Sequence, residues 1–216
     1  MKKFDTVVFD MDGTLLNTLE DLRDAMNHIL KKYGYEEKSL EEVRRAVGNG
    51  AGRFMKAMLP QGESDPDYGK LLKEYGEYYQ AHCQVKTRPY DGIMSMLAQL
   101  REQEIRIAIV SNKGDGAVKE LNRQYFGTTI GTAVGERFGI RRKPEPDSVL
   151  EALRILGSSR ERSVYVGDSE VDYHTAANAG MTCVLVSWGF RDRGQLLQLK
   201  PDYLIDRPEE LLKILE

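Results

Sequence analysis

The chain has little cysteine. Only Cys83 and Cys183 occur in its 216 residues, far apart and outside any CxxC pattern. Neither a disulfide framework nor a structural zinc site is supported, and buried or incidental free thiols are expected. No apolar run approaches the roughly 18 residues that cross a bilayer, and Asp5, Asp10 and Asp12 interrupt the start Met1-Lys2-Lys3-Phe4 before it can serve for export. A soluble, cytoplasmic protein with no membrane partner is expected. An excess of either charge is also missing: Lys+Arg 31 against Asp+Glu 34 gives a net charge of -3. That balance speaks against a nucleic-acid partner held by a basic surface. There is no internal repeat and no low-complexity tract, and His28, His82 and His174 fall outside every motif below. Oligomeric state is open between monomer and homodimer.

What is there alternates. Short apolar runs at 4–9, 105–110, 163–166, 182–186 and 203–205, with a weaker one at 128–134, read as strands buried on both faces. Helical patterns at 92–103, 116–125, 147–156, 171–179 and 208–215 separate them. The order predicts an α/β fold, a Rossmann-like doubly wound parallel sheet covered on both faces. Residues 16–86 break the alternation with helix after helix. Thr18 is expected to cap the first, Ser39 with Glu42 forms a capping box for the second, and two more are expected at 52–59 and 65–82. An all-helical insert, 16–86, in a core made of 1–15 and 87–216 is the economical organisation. Tyr75, Tyr78 and Tyr79 are expected to pack that insert.

In an open α/β sheet the ligand sits beyond the carboxyl ends of the strands. The residues there are Asp10-Met11-Asp12-Gly13-Thr14, Ser111-Asn112-Lys113 and Gly167-Asp168-Ser169-Glu170-Val171-Asp172, joined by Lys143 in a proline-bounded loop. In isolation Asp12-Gly13 is a turn, Ser169 to Asp172 is a helix start, and Lys143 is a loop lysine. Together they gather carboxylates around a hydroxyl and an ammonium. Two like charges about 4 Å apart repel by roughly 4 kcal/mol at an effective dielectric of 20, so such a cluster calls for a divalent cation. Oxygen ligands alone favour Mg²⁺. A carboxylate so placed can attack phosphorus, while Gly13 frees the turn and Thr14, Ser111 and Lys143 offer donors to phosphate oxygens.

The ordered motifs DMDGTLLNT, VSNK, RKPEP and VGDSEVDYHTAANAG resemble the haloacid dehalogenase superfamily of phosphotransferases across essentially the whole chain. The resemblance implies that Asp10 is the nucleophile and Asp12 the general acid and base. It implies that Ser111 and Lys143 hold the phosphoryl group, with Lys143 offsetting the charge of Asp10. Mg²⁺ would be held by the Asp10 carboxylate, the Asp12 carbonyl and Asp168, with Asp172 a further ligand or a support for the metal waters and Lys143.

The helical insert resembles the cap of the subgroup containing phosphoglycolate phosphatase and β-phosphoglucomutase. Asp12-Gly13-Thr14 is similar to the phosphatase members, although Asn17 stands where Asp is commoner. The loop Val47-Gly48-Asn49-Gly50-Ala51 resembles the cap loop of phosphoglycolate phosphatases. There Asn49, Gly50 and Arg53, with Asn112 from the sheet, would contact a small phosphorylated metabolite. A phosphatase acting on 2-phosphoglycolate is the expected function. A β-phosphoglucomutase, a sugar or nucleotide monophosphatase and a pyrophosphatase are alternatives within the superfamily. A catalytically silent regulatory protein would lack one of the four motif residues, and none is missing.

Overall fold

The computed structural model describes residues 3–127 and 129–216. Six strands, β1 (Thr6–Phe9), β4 (Arg106–Gly114), β5 (Thr132–Glu136), β6 (Ser163–Gly167), β7 (Thr182–Val186) and β8 (Tyr203–Ile205), pair in parallel in the order β5-β4-β1-β6-β7-β8. The first residue of the weak strand expected at 128–134 lies outside the described residues, and the observed β5 is displaced toward the C-terminus. From β1 the chain crosses to β4 and β5 on one side, then returns to β6 on the other. The order therefore reverses around β1, which opens a crevice at the carboxyl ends of β4, β1 and β6.

Alternate residues of these strands serve two separate cores, as a sheet covered on both faces requires. Val7, Phe9, Ile107, Ile109, Val164 and Val166 face one way. They meet Ile93, Leu97 and Leu100 of α5 (Ile93–Glu102), Val118 and Leu121 of α6 (Asp115–Tyr125), and Leu211 and Leu215 of α10 (Glu210–Leu215). Val8, Ala108, Val110 and Tyr165 face the other way, against Val149 and Ala152 of α7 (Asp147–Leu156), Ala176 and Ala179 of α8 (Glu170–Ala179) and Leu196 of α9 (Arg193–Gln198). No helix was expected at α9, six residues long.

Four α-helices come between β1 and α5: α1 (Leu19–Lys32), α2 (Leu40–Ala46), α3 (Gly50–Met58) and α4 (Tyr68–His82). The expected capping box on α2 is present, with Glu42 N donating to Ser39 Oγ and Ser39 N to Glu42 Oε2. Thr18 precedes α1 but makes no side-chain cap; its hydroxyl donates instead to Asp12 Oδ1 at 2.6 Å.

The apolar stripe of α1, including Leu22, Met26 and Leu30, joins Phe54, Met55, Leu71, Tyr75 and Tyr79 in the same core that lies under β1. Entry and exit of this helical block pair as short antiparallel strands, β2 (Leu16–Asn17) and β3 (Arg88–Pro89). Beside them the buried carboxylate of Asp21 accepts the backbone N–H groups of Lys86 and Thr87. Cys83 and Cys183 are buried free thiols. Tyr78 stacks between His28 and His82, away from the crevice, whereas Tyr75 and Tyr79, expected only to pack the insert, are buried and also line the cavity at the crevice. No helix among the described residues is long and apolar enough to cross a membrane.

Candidate active site

A cavity of about 430 Å³ opens at the crevice, and Asp10, Asp12, Ser111, Asn112 and Lys143 all line it. They arrive on three segments, the turn after β1, β4 and the Lys143 loop. Asp10 directly follows β1, where its backbone N–H donates to Val166 O, and Asp12 sits in the tight turn closed by Leu15 and Leu16 N–H bonds to Met11 O. Ser111, Asn112 and Lys113 were expected just after a strand. They lie within β4, which runs on to Gly114 through a register shift after Val110.

Ser111 Oγ accepts from Lys113 N–H at 3.2 Å, which fixes the oxygen and leaves its proton to donate. Asn112 is buried and links two neighbours of the cavity. Its Oδ1 accepts from Lys143 N–H at 2.7 Å, while its Nδ2 donates to Lys143 O and to Gly48 O. Its side chain therefore ties the lysine loop to the α2–α3 loop at the wall of the cavity.

Lys143 is the hinge of the electrostatics. Its ammonium lies 2.8 Å from both Asp10 Oδ1 and Asp172 Oδ1, with the Tyr165 hydroxyl at 3.1 Å. Burial alone would discharge this amine, but the two carboxylates outweigh it and keep it protonated. Asp172 also accepts from Ser169 and Tyr165 hydroxyls. Burial opposes its charge, yet Lys143 and these bonds hold its carboxyl below the usual range. Asp10 and Asp168 fare otherwise. Burial pushes Asp10 up to about 7, against the pull of Lys143. Burial, then Asp172 and Asp10, drives Asp168 well above the ordinary carboxylate range.

One ammonium cannot balance three buried carboxylates. Oxygens of Asp10, Asp168 and Asp172 come within 4.8 Å of one another, a hard-oxygen donor set that fits a divalent cation such as Mg²⁺. Asp168 is aimed by the Phe190 N–H, which donates to its Oδ2 at 2.6 Å. Ser169 also caps α8, accepting from Asp172 N–H, so the helix-start reading and the site reading of this motif hold together.

Glycines shape this pocket by what they lack. Gly13 has φ +83°, and a Cβ there would lie 2.2 Å from Asp168 Oδ2. At Gly189, which the sequence did not single out, a Cβ would meet Asp168 Cβ at 2.3 Å and Gly13 O at 2.5 Å. Gly13→Ala is therefore expected to displace Asp168 and lower kcat/KM by about 100-fold. Phosphate release with a Mg²⁺ titration checks this; a variant of unchanged metal requirement and rate would refute it.

Three expected contacts are corrected. Thr14 is fully buried, does not line the cavity, and its hydroxyl has no hydrogen-bond partner. Its carbonyl accepts from Trp188 Nε1, since the turn after Gly13 directs residue 14 into the fold. Arg53 is exposed and donates to Asn49 Oδ1, and neither side chain lines the cavity. The apolar face of α3, Phe54, Met55 and Met58, is the one turned inward, which puts Arg53 outside. Gly48, Gly50 and Ala51 of the same loop do face the cavity.

Two charged residues at this site went unassigned in the sequence. Lys113 stood in a quoted motif without a role, yet it is buried against Asp12. Arg191 carried no motif at all. It pairs with Glu170 and donates to Arg44 O and Val47 O, fastening the end of α2 to the sheet.

Comparison with known proteins gives a consistent set. Residues 7–186 match the family described as haloacid dehalogenase-like hydrolase. A phosphoglycolate phosphatase of Aquifex aeolicus is 31% identical over 219 residues, covering 97% of this chain and 96% of that protein. An N-acetylmuramic acid 6-phosphate phosphatase of Pseudomonas aeruginosa is 29% identical, covering 97% and 94%. A crystal structure from Lactobacillus delbrueckii subsp. bulgaricus superposes with TM-score 0.93 at 32% identity, covering 100% of this chain and 99% of that one.

Proposed function

The chain belongs to the haloacid dehalogenase-like hydrolases and is a phosphatase; on that footing we propose that it is Mg²⁺-dependent and hydrolyses a small phosphomonoester, 2-phosphoglycolate first. The observation that carries this reading is the convergence of Asp10, Asp12, Ser111 and Lys143 on one cavity, with Asp168 and Asp172 adjoining. Asp10 attacks phosphorus through a carboxylate oxygen and carries the phosphoryl group as an acyl phosphate. Asp12 gives its proton to the departing oxygen, then takes one from the water that attacks the acyl phosphate. Ser111 and Lys143 donate to the phosphoryl oxygens, where charge develops. Asp10, Asp168 and Asp172, with the Asp12 carbonyl, would hold Mg²⁺, which would neutralise charge between nucleophile and phosphate.

The helical insert acts as a lid over the site, and Gly48, Gly50 and Ala51, which line the cavity, meet the far end of the substrate. The Aquifex relative supports 2-phosphoglycolate. A second reading, a phosphosugar, is favoured by the size of the cavity and by its wall of Leu22, Phe54 and Tyr75, which exceeds what a two-carbon acid fills.

Phosphate release from 2-phosphoglycolate, N-acetylmuramic acid 6-phosphate, hexose phosphates, nucleotides and pyrophosphate separates these readings. The highest kcat/KM is expected for 2-phosphoglycolate, with a loss of about 100-fold or more under excess chelator. A sugar phosphate ranking far above it would replace the substrate, and indifference to chelator would remove the metal.

A further inference from the structure

Lys113 has none of the roles above, yet its side chain is only 6% exposed. Its ammonium lies 3.1 Å from Asp12 Oδ1, donates to the Tyr79 hydroxyl, and stands 4.2 Å from the centroid of the Tyr79 ring. Three separate parts of the molecule meet at this one cation. Lys113 is on β4, Asp12 is in the turn after β1, and Tyr79 is a buried residue of α4 in the helical insert. A buried ammonium persists only where partners replace its water, and here one partner comes from the sheet side and the other from the insert.

The partners of Asp12 are placed selectively. Thr18, at the entry to the insert, donates to Oδ1 at 2.6 Å, the same oxygen that Lys113 addresses. Two donors on Oδ1 fix the rotation of the carboxyl group and leave Oδ2 as the oxygen for proton transfer. Both donors depend on the insert: Thr18 leads into α1, and Lys113 is steadied by Tyr79 of α4.

We propose that Lys113 is a positioning residue that couples seating of the helical insert to the acid and base function of Asp12. With the insert seated, Tyr79 holds the lysine stem, the ammonium holds Oδ1, and Oδ2 faces the substrate's departing oxygen. With the insert displaced, Lys113 loses Tyr79 and the carboxyl group turns freely. Proton transfer is thereby confined to the closed, water-poor cavity. This inference rests on the reading of Asp12 as acid and base.

The test uses leaving-group dependence. p-Nitrophenyl phosphate releases a phenolate that needs little protonation, whereas 2-phosphoglycolate and ethyl phosphate release alkoxides that need it. Only one of those two carries a carboxylate. Lys113→Met is expected to lower the single-turnover rate of leaving-group release, the step in which Asp12 acts as acid, by about 30-fold on both alkyl esters, at least ten times its loss on p-nitrophenyl phosphate, with half-saturation moving less than about threefold. Tyr79→Phe should move in the same direction by a smaller factor, and Lys113→Arg should recover part of the loss.

An equal loss on all three esters would overturn the proposal, because a structural role spares no substrate. A loss confined to KM for 2-phosphoglycolate would overturn it in favour of a carboxylate-binding lysine. Should Lys113→Met fail to fold by thermal unfolding, Tyr79→Phe carries the same comparison. Asp12→Asn is the reference and should show the same pattern more strongly; if it does not, the reading of Asp12 fails, whatever Lys113 does.

Discussion

Asp10→Asn is expected to reduce phosphate release by about ten-thousand-fold or more, because an amide has no lone pair suited to attack on phosphorus. The replacement is nearly isosteric, and Lys143 can still donate to the amide oxygen, so the fold should survive. Stability offers a second, independent readout. Burial holds the Asp10 carboxyl at about 7 against an ordinary value of 3.8. A carboxyl raised in the folded state binds its proton more tightly there than in the unfolded chain. It therefore contributes stability that is present below the ordinary value and is lost as pH rises through about 7.

In chelator, the wild type should accordingly lose thermal stability as pH rises from about 4 through about 7, and Asp10→Asn should lose less of it. Asp168 remains to titrate, so some slope persists. Added Mg²⁺ should flatten the wild-type slope by balancing the ionised cluster. Residual activity within about tenfold of wild type would remove Asp10 as the nucleophile. A steeper slope in the variant would refute the electrostatic account.

Lys143→Met should affect folding and catalysis together. The stem keeps its length and loses its charge, leaving Asp10 and Asp172 facing each other without the ammonium that lies 2.8 Å from each. Breaking a buried pair on one side costs about 3–5 kcal/mol, and for a chain of this size that lowers Tm by roughly 6–20 °C. A fall in kcat of about a thousand-fold is expected as well, since the donor to the phosphoryl oxygens is gone.

The two losses can be separated. Adding Asp172→Asn to Lys143→Met removes one of the uncompensated charges and should restore part of the Tm with no return of activity. Differential scanning calorimetry with and without Mg²⁺, beside phosphate release, decides the matter. If Lys143→Met unfolded at the wild-type temperature, the charge balance described for this site would be wrong.

Where the sequence was legible, a local cause was at work. Strands buried on both faces have to be apolar throughout, which exposed β1 and β6, and Ser39 with Glu42 bonds within its own helix turn. The two carboxylates flanking Met11 were legible because a turn after a buried strand leaves few other uses for them. The errors have a common origin too. Thr18 looked like a cap because only its neighbours in sequence were in view, while its partner Asp12 comes from a separate turn. Arg53 looked available for substrate, but the rotation of α3 is set by the burial of Phe54 and Met55. Thr14 sat in the right motif and on the wrong side of its turn.

By itself, then, the sequence determined the α/β alternation, the helical interruption after the first strand, and which residue types would be gathered at the strand ends, since periodicity and turn chemistry act over a few residues. Only the tertiary structure decided which carboxylates share a cation, that Lys143 stands between Asp10 and Asp172, and that Lys113 joins Asp12 to Tyr79. Those relations depend on distances of a few ångströms between residues dozens of positions apart. They are set by the reversal of strand order around β1 and by the packing of the helical insert, which no local pattern encodes.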